Sequence, residues 1–387
     1  MRKQFFILFL FFGLSLPAQN NNTNQSIEVS ILTIGPGKAL NDAFGHNGIR
    51  IKTTFADVVY DYGRFPFNDP NFYLNFARGK LLYAQGYSSY QAVISYYKNQ
   101  NRDIKEQLLN LSKTEKLKLY SFLETNSLPE NRDYLYDFFY DNCATKIRDV
   151  TEEITNNNID FNTPSNLKTS SFRDLIQQNL NWNSWGSLGI DLALGAVIDK
   201  EASAYHHMFL PEYIYQFFNT ATFKNNQQKL VKKTHYIYKK TEEKNNNSFF
   251  VSPIFILGLI GVFIIYITYK NNKENKRSKW LDVSLFGITG ILGILILLLW
   301  FATDHTATGY NYNLLWAFAL NLFMLPQVIK NTPKNWFVKY LKLLVILLFL
   351  MGFHWVFAVQ GFALALLPLV IALGIRYLFL IKNINTQ

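Results

Sequence analysis

Cysteine is almost missing from these 387 residues: Cys143 is the only one. A single thiol excludes an intramolecular disulfide and any thiolate zinc cluster. No His-Glu-x-x-His segment occurs, so a zinc site has no support either. No cysteine follows the N-terminal apolar run, so the chain is not expected to be a lipoprotein itself. Acidic residues nearly vanish from the C-terminal third. From Phe250 onward only Glu274, Asp282 and Asp304 stand against eleven Lys or Arg, and most of the +11 net charge sits there. Those cations cluster between long apolar runs, the pattern of membrane topology rather than of a nucleic-acid partner. The runs themselves carry few charges, which argues against a proton pump or charge-relay transporter.

The apolar runs predict membrane spans over residues 253–269, 281–301, 314–329, 338–357 and 362–381, near the length a bilayer requires. At the other end, Arg2 and Lys3 precede an apolar core over residues 5–14 and then Ser15-Leu16-Pro17-Ala18. This reads as a secretory signal, residues 1–18; an uncleaved anchor is the other reading. Signal and charge bias agree. With residues 19–245 exported, the basic segments 270–279 and 330–342 fall in the cytoplasm, and 302–313, without Lys or Arg, falls outside. The expected organisation is a periplasmic domain (19–245), a Lys- and Asn-rich linker over about 224–248, and a polytopic domain (246–387) in the inner membrane.

The exported segment reads as α+β, without internal repeats. Strands are expected over 27–34, ending at Gly35-Pro36-Gly37, then over 45–53 and 58–62. Ser112-x-x-Glu115 is a capping box that opens a helix. Asp141 or Asn142 caps another, running from Cys143 to about Ile154. On it Cys143, Ile147, Val150 and Ile154 share one face, so the thiol points toward whatever the helix packs on.

That face has two readings. A buried free cysteine packs like a small hydrophobe. A cysteine at a helix N-terminus also meets partial positive charge that suits a thiolate nucleophile, provided a base stands nearby. His46, in Phe44-Gly45-His46-Asn47-Gly48, is the available base. Asp61, on the adjacent expected strand, is the candidate to orient its ring, or else a solvated strand residue.

These segments resemble the Lnb-type lipoprotein N-acyltransferases. The matching stretches are Gly35-Pro36-Gly37, Phe44-Gly45-His46-Asn47, Tyr60-Asp61-Tyr62-Gly63-Arg64-Phe65, Tyr140-Asp141-Asn142-Cys143-Ala144-Thr145 and Met208-Phe209-Leu210-Pro211. Thr303-Asp304-His305 and Asn313-Leu314-Leu315-Trp316 match in the membrane part. The resemblance implies a circularly permuted papain-like (NlpC/P60-like) domain before about five transmembrane helices. It implies Cys143 as nucleophile and His46 as base, with no cofactor; Asp61 is an expectation from the strands alone. The implied reaction moves a fatty acyl chain from a phospholipid to a diacylglyceryl-cysteine lipoprotein through a Cys143 thioester. The Cys143 amide would stabilise the oxyanion.

Asn142, Asp304 and His305 are the expected substrate contacts. The latter two lie in the outer loop at the depth of lipid headgroups, where an ordinary interfacial loop is the competing reading. His354 reads as packing or a headgroup contact, and His206-His207 as domain packing rather than metal ligands. The exported domain's aromatics are mostly core, with some able to anchor it at the bilayer. Two rival functions remain at this stage. A cell-wall peptidase is one, although a single span would tether it; a non-catalytic envelope scaffold is the other.

Overall fold

The computed structural model describes residues 26–242 and 248–385. The expected signal segment, 1–18, and the domain boundary near 245 lie outside the described residues.

Alternating apolar side chains build a sheet with two covered faces. Strand β1 (Glu28–Ile34) turns Val29 and Ile31 to one face and Leu32 and Ile34 to the other. It pairs antiparallel with β2 (His46–Lys52), which pairs with β3 (Asp57–Arg64). A short helix, α1 (Phe72–Ala77), leads to β4 (Leu82–Ser89) and α2 (Tyr90–Asn99). Strand β5 (Ile104–Leu109) returns to the far side of β1, and α3 (Lys113–Asn126) starts at the expected Ser112/Glu115 capping box. Strand β6 (Asp133–Leu135) then precedes α4 (Cys143–Ile154). After it come β7 (Ile159–Asp160), α5 (Phe172–Gln177), α6 (Trp185–Ala193), α7 (Pro211–Thr220), β8 (Thr222–Phe223) and β9 (Val231–Tyr238). Among the described residues, seven strands form one sheet in the order β6-β4-β3-β2-β1-β5-β9.

The apolar face of α4, Ile147, Val150 and Ile154, packs with α7 against Ile31, Ile49 and Tyr60. The opposite face, Leu32, Ile34 and Val59, is covered by Ile94 of α2. Each such aliphatic side chain, fully buried, contributes about 1.5–3 kcal/mol. Strand β9 corrects the expected linker: residues 231–238 pair with β5 at the sheet edge. Edge strands carry lysines that discourage further pairing, so Lys232 and Lys233 gave this strand the composition of a linker.

Among the described residues, four helices are long and apolar enough to cross a membrane. They are α8 (Pro253–Glu274), α9 (Lys279–Phe301), α11 (Asn335–Val356) and α12 (Leu367–Asn385). The span expected over 314–329 is not a continuous helix. A 3-10 turn at Tyr312–Leu315 is followed by a nine-residue helix, α10 (Asn321–Ile329), with Pro326 inside it. Irregular backbone at membrane depth must be enclosed by protein. Here α9 encloses it through glycines: a Cβ on Gly293 would collide with the Ala317 carbonyl oxygen, and one on Gly290 with the Leu322 amide nitrogen. Buried Asn321 then donates to Thr289 Oγ1 at 2.8 Å and accepts from the Tyr340 hydroxyl at 2.6 Å.

The membrane part also holds a charged knot. Arg376, fully buried, donates to Asp282 at 2.7 Å and to Asn271 at 2.8 Å, and Arg277 stands 3.1 Å from the same aspartate. These bonds join α12 to the end of α8 and the start of α9.

Polar bonds seat the sheet domain on the outer loops. Arg173 of α5 pairs with Asp191 and Asp199 at 2.8 Å each, and Asp199 accepts from the Gly361 amide. Asn311 donates to the last carbonyls of α6, and Asn313 to Asp191.

Candidate active site

The site is assembled where α4 meets the β2–β3 pair. Asn142 rather than Asp141 is the cap: its Oδ1 accepts from the Ala144 and Thr145 amides at 2.8 and 3.0 Å, and the Thr145 hydroxyl accepts from the Asn142 amide. Asp141 pairs instead with Lys146. The cap leaves the Cys143 N–H, first of the helix, outside its bonds. Cys143 is buried, 8 % exposed.

His46 and Asp61 stand on the strand pair against which α4 packs. Gly48 stands opposite Asp61, so His46, two residues earlier, lies diagonally across from Asp61 on the same face. His46 Nε2 donates to Asp61 Oδ2 at 3.3 Å, which leaves Nδ1 outside that pair. Asp61 Oδ1 accepts from Arg64 Nε at 2.5 Å, and the same guanidinium donates to the Tyr87 carbonyl and Ser88. Between Asp61 and Arg64 the strand bulges through Gly63, at φ +95. A Cβ there would stand 4.0 Å from the Cys143 Cβ. Glycine is required by the backbone, and it also leaves the gap in which helix and histidine strand approach one another.

The electrostatics follow from this geometry. Burial disfavours a charged His46 ring, but the Tyr97 hydroxyl, Cys143 and Asp61 together outweigh it, so the imidazole pKa is held well above its ordinary value. Cys143 is among the groups close enough to raise the ring's pKa. Burial would raise Asp61, yet His46 and Arg64 outweigh it and hold the carboxyl below its usual range. The stabilisation from His46 is complete below its ordinary value and disappears as pH rises through its raised folded value. That from Asp61 is complete above its ordinary value and disappears as pH falls. Both contributions are present near neutrality. Asp61→Asn should therefore lower the His46 pKa, and the alkaline limb of the pH profile of Cys143 alkylation should move to lower pH. An unchanged limb would remove Asp61 as the partner that holds the ring charged.

The three expected substrate contacts all make bonds within the protein. Asn142 is 3 % exposed, and its Nδ2 donates to the Phe138 and Phe209 carbonyls at 2.6 and 2.8 Å. With both ends bonded inside the protein, it fixes the helix start and has no face for a substrate. His305 spends its Nε2 on the Phe76 carbonyl at 3.0 Å, and the Asp304 amide donates to the Arg78 carbonyl. The Asp304 carboxylate lies 3.7 Å from Lys80. These two residues dock the outer loop onto the end of α1. His207 bonds the Ser203 and Lys168 carbonyls, His206 bonds Ser203, and His354 packs on Tyr312 with ring centroids 4.4 Å apart.

Sequence reasoning missed Tyr97 and the part played by Arg64. Tyr97 belongs to the i, i+3, i+7 face Tyr90–Val93–Tyr97 of α2, a spacing that signals burial and not chemistry. Arg64 stood inside the quoted Tyr60–Phe65 segment, but its reach back to Asp61 depends on a bulge that no pattern shows.

The thiol beside an imidazole can attack a carbonyl, and the first amide of α4 can receive the oxyanion. No curated protein and no solved structure matches the chain. Two family models do: that of the Lnb N-terminal periplasmic domain over residues 17–178, and that of the Lnb transmembrane domain over residues 244–387. They meet both halves of the molecule in the order observed, a sheet domain carrying the Cys–His pair and then the membrane helices, and the chain belongs to the Lnb family of lipoprotein N-acyltransferase-like envelope proteins.

Proposed function

We propose that the protein moves a fatty acyl chain from a membrane phospholipid to the α-amine of diacylglyceryl-cysteine lipoproteins, at the periplasmic face of the inner membrane. The observation that carries this reading is the capped helix start at Cys143 packed against the strand pair that holds His46 and Asp61, in a domain bonded to the outer loops of a membrane bundle. The chain order, histidine strand before cysteine helix, supports a circularly permuted papain-like arrangement of the sheet domain, residues 19–245, ahead of the membrane domain.

In the first half-reaction the Cys143 sulfur attacks an ester carbonyl of the phospholipid. The Cys143 N–H supports the oxyanion, the ester C–O bond breaks, and the His46 imidazolium gives its proton to the departing lysophospholipid oxygen. A raised His46 pKa suits this donation at neutral pH. In the second half-reaction the lipoprotein amine attacks the thioester and His46 takes its proton. The C–S bond then breaks, leaving an amide and the free sulfur. Asp61 and Arg64 keep the ring oriented throughout.

The test is to trap the intermediate. The purified full chain, incubated with vesicles of acyl-labelled phospholipid and no acceptor, should carry label on the peptide containing Cys143, released by neutral hydroxylamine. Label absent from that peptide, with lipoprotein acylation still occurring, would place the chemistry elsewhere.

A further inference from the structure

A cavity of about 500 Å³ opens beside the Asp61–Arg64 pair, along strand β4 and the α1 segment. Its wall includes Arg64, Lys80 and Arg132, the carboxylates Asp69 and Asp133, and apolar Phe65 and Leu82. It lies next to the candidate catalytic groups, because Arg64 bonds the same carboxylate that holds His46. It also lies on the membrane side, because Lys80 faces Asp304, three residues beyond the end of α9. Around it, Phe67, Tyr73, Leu74 and Phe76 expose more than half of their surface, an apolar rim suited to the bilayer interface.

The charges in this cavity are not equally committed. Arg64 is held by Asp61, the Tyr87 carbonyl and Ser88. Lys80 and Arg132 have only loose, solvent-exposed partners, Asp304 at 3.7 Å and Asp133 at 3.6 Å. Exposed pairs of that kind contribute little, so both cations can turn to a phosphate, whose charge-assisted bonds are stronger. Once Arg132 turns, Asp133 is left facing the cavity, and Asp69 adds a second carboxylate to its wall.

We propose that this cavity takes the headgroup of the acyl-donor phospholipid, with Lys80 and Arg132 on the phosphate and Asp69 and Asp133 on an ammonium. The donor is therefore a zwitterionic phospholipid of the ethanolamine class rather than an anionic one. The inference rests on the acyl-transfer reading and adds the identity of the donor. In a phospholipid the phosphate and the esters hang from one glycerol unit. Fixing the phosphate beside Arg64 thus brings an ester toward Cys143 with the chains directed to the apolar rim.

The experiment uses the full chain in vesicles of phosphatidylethanolamine or phosphatidylglycerol with identical chains and a synthetic diacylglyceryl-cysteine peptide as acceptor. Wild type should prefer the ethanolamine lipid. Lys80→Gln and Arg132→Gln should each raise the half-saturating donor fraction about tenfold, the worth of one charge-assisted bond. Asp133→Asn should narrow the preference between the two lipids. Iodoacetamide labelling of Cys143 reports whether each variant keeps its fold. A second measurement needs no variant: glycerophosphoethanolamine should compete with the donor in wild type, and glycerophosphoglycerol should compete less. Equal use of both lipids, no competition by the soluble headgroup, or a changed requirement for the peptide instead of the lipid would overturn the assignment. No transfer by wild type from any phospholipid would overturn the acyl-transfer reading itself.

Discussion

His46→Ala lowers acyl transfer to lipoprotein by about 10²–10⁴-fold, the usual worth of a positioned acid–base group. The loss is expected in both half-reactions. In the proposed mechanism the ring supplies the proton that the departing lysophospholipid oxygen takes and later receives the proton of the attacking amine. In the same mechanism it activates Cys143, so alkylation of the thiol at neutral pH should fall in parallel. A merely structural histidine would give a different signature, with transfer reduced only as far as folded protein is lost. Added imidazole distinguishes the two, because it can restore proton transfer in a cavity left by alanine but cannot restore a lost fold. Unchanged Cys143 alkylation in His46→Ala would remove His46 as the activating group.

Asn142→Ala is expected to have the largest effect on stability. The side chain caps α4 with two accepted bonds and donates two more to the Phe138 and Phe209 carbonyls, all inside the protein. Loss of an N-cap costs about 0.5–2 kcal/mol. Stranding buried carbonyl groups costs a further 1–3 kcal/mol or so. Together this lowers the melting temperature of the sheet domain by roughly 5–10 °C, given the size dependence of thermal unfolding. Asn142→Asp keeps the cap oxygens and loses only the two donations, so it should fall between wild type and alanine. Thermal melts of the three purified proteins check the order. Equal melting temperatures would mean that the start of α4 is held by other contacts.

Much of this site was legible because its parts obey local rules. The capped start of α4 and the strand carrying His46 follow from residue type and periodicity, and neighbouring strands bring Asp61 within reach of the ring. The Asn142 side chain illustrates the limit. Its capping role was readable, but its two donations run to Phe138 and to distant Phe209, and only tertiary structure shows that they leave nothing for a substrate. Asp304 and His305 show the same limit: the bonds of the Asp304 amide and the His305 ring to the end of α1 could not be read from polarity alone. In the membrane, hydropathy marked residues 314–329 as apolar but could not show the break before Asn321, which depends on Gly290 and Gly293 of another helix. Strand β9 was hidden by its own lysines, since an exposed edge and a linker share a composition.

The most direct test of the account is mass spectrometry of lipoprotein N-termini from cells whose only candidate N-acyltransferase is this protein, wild type or Cys143→Ser. The account predicts an amide-linked acyl chain on the lipoproteins of wild-type cells and its disappearance with Cys143→Ser at equal protein level. Triacylated lipoproteins persisting at wild-type levels in the Cys143→Ser cells would contradict it.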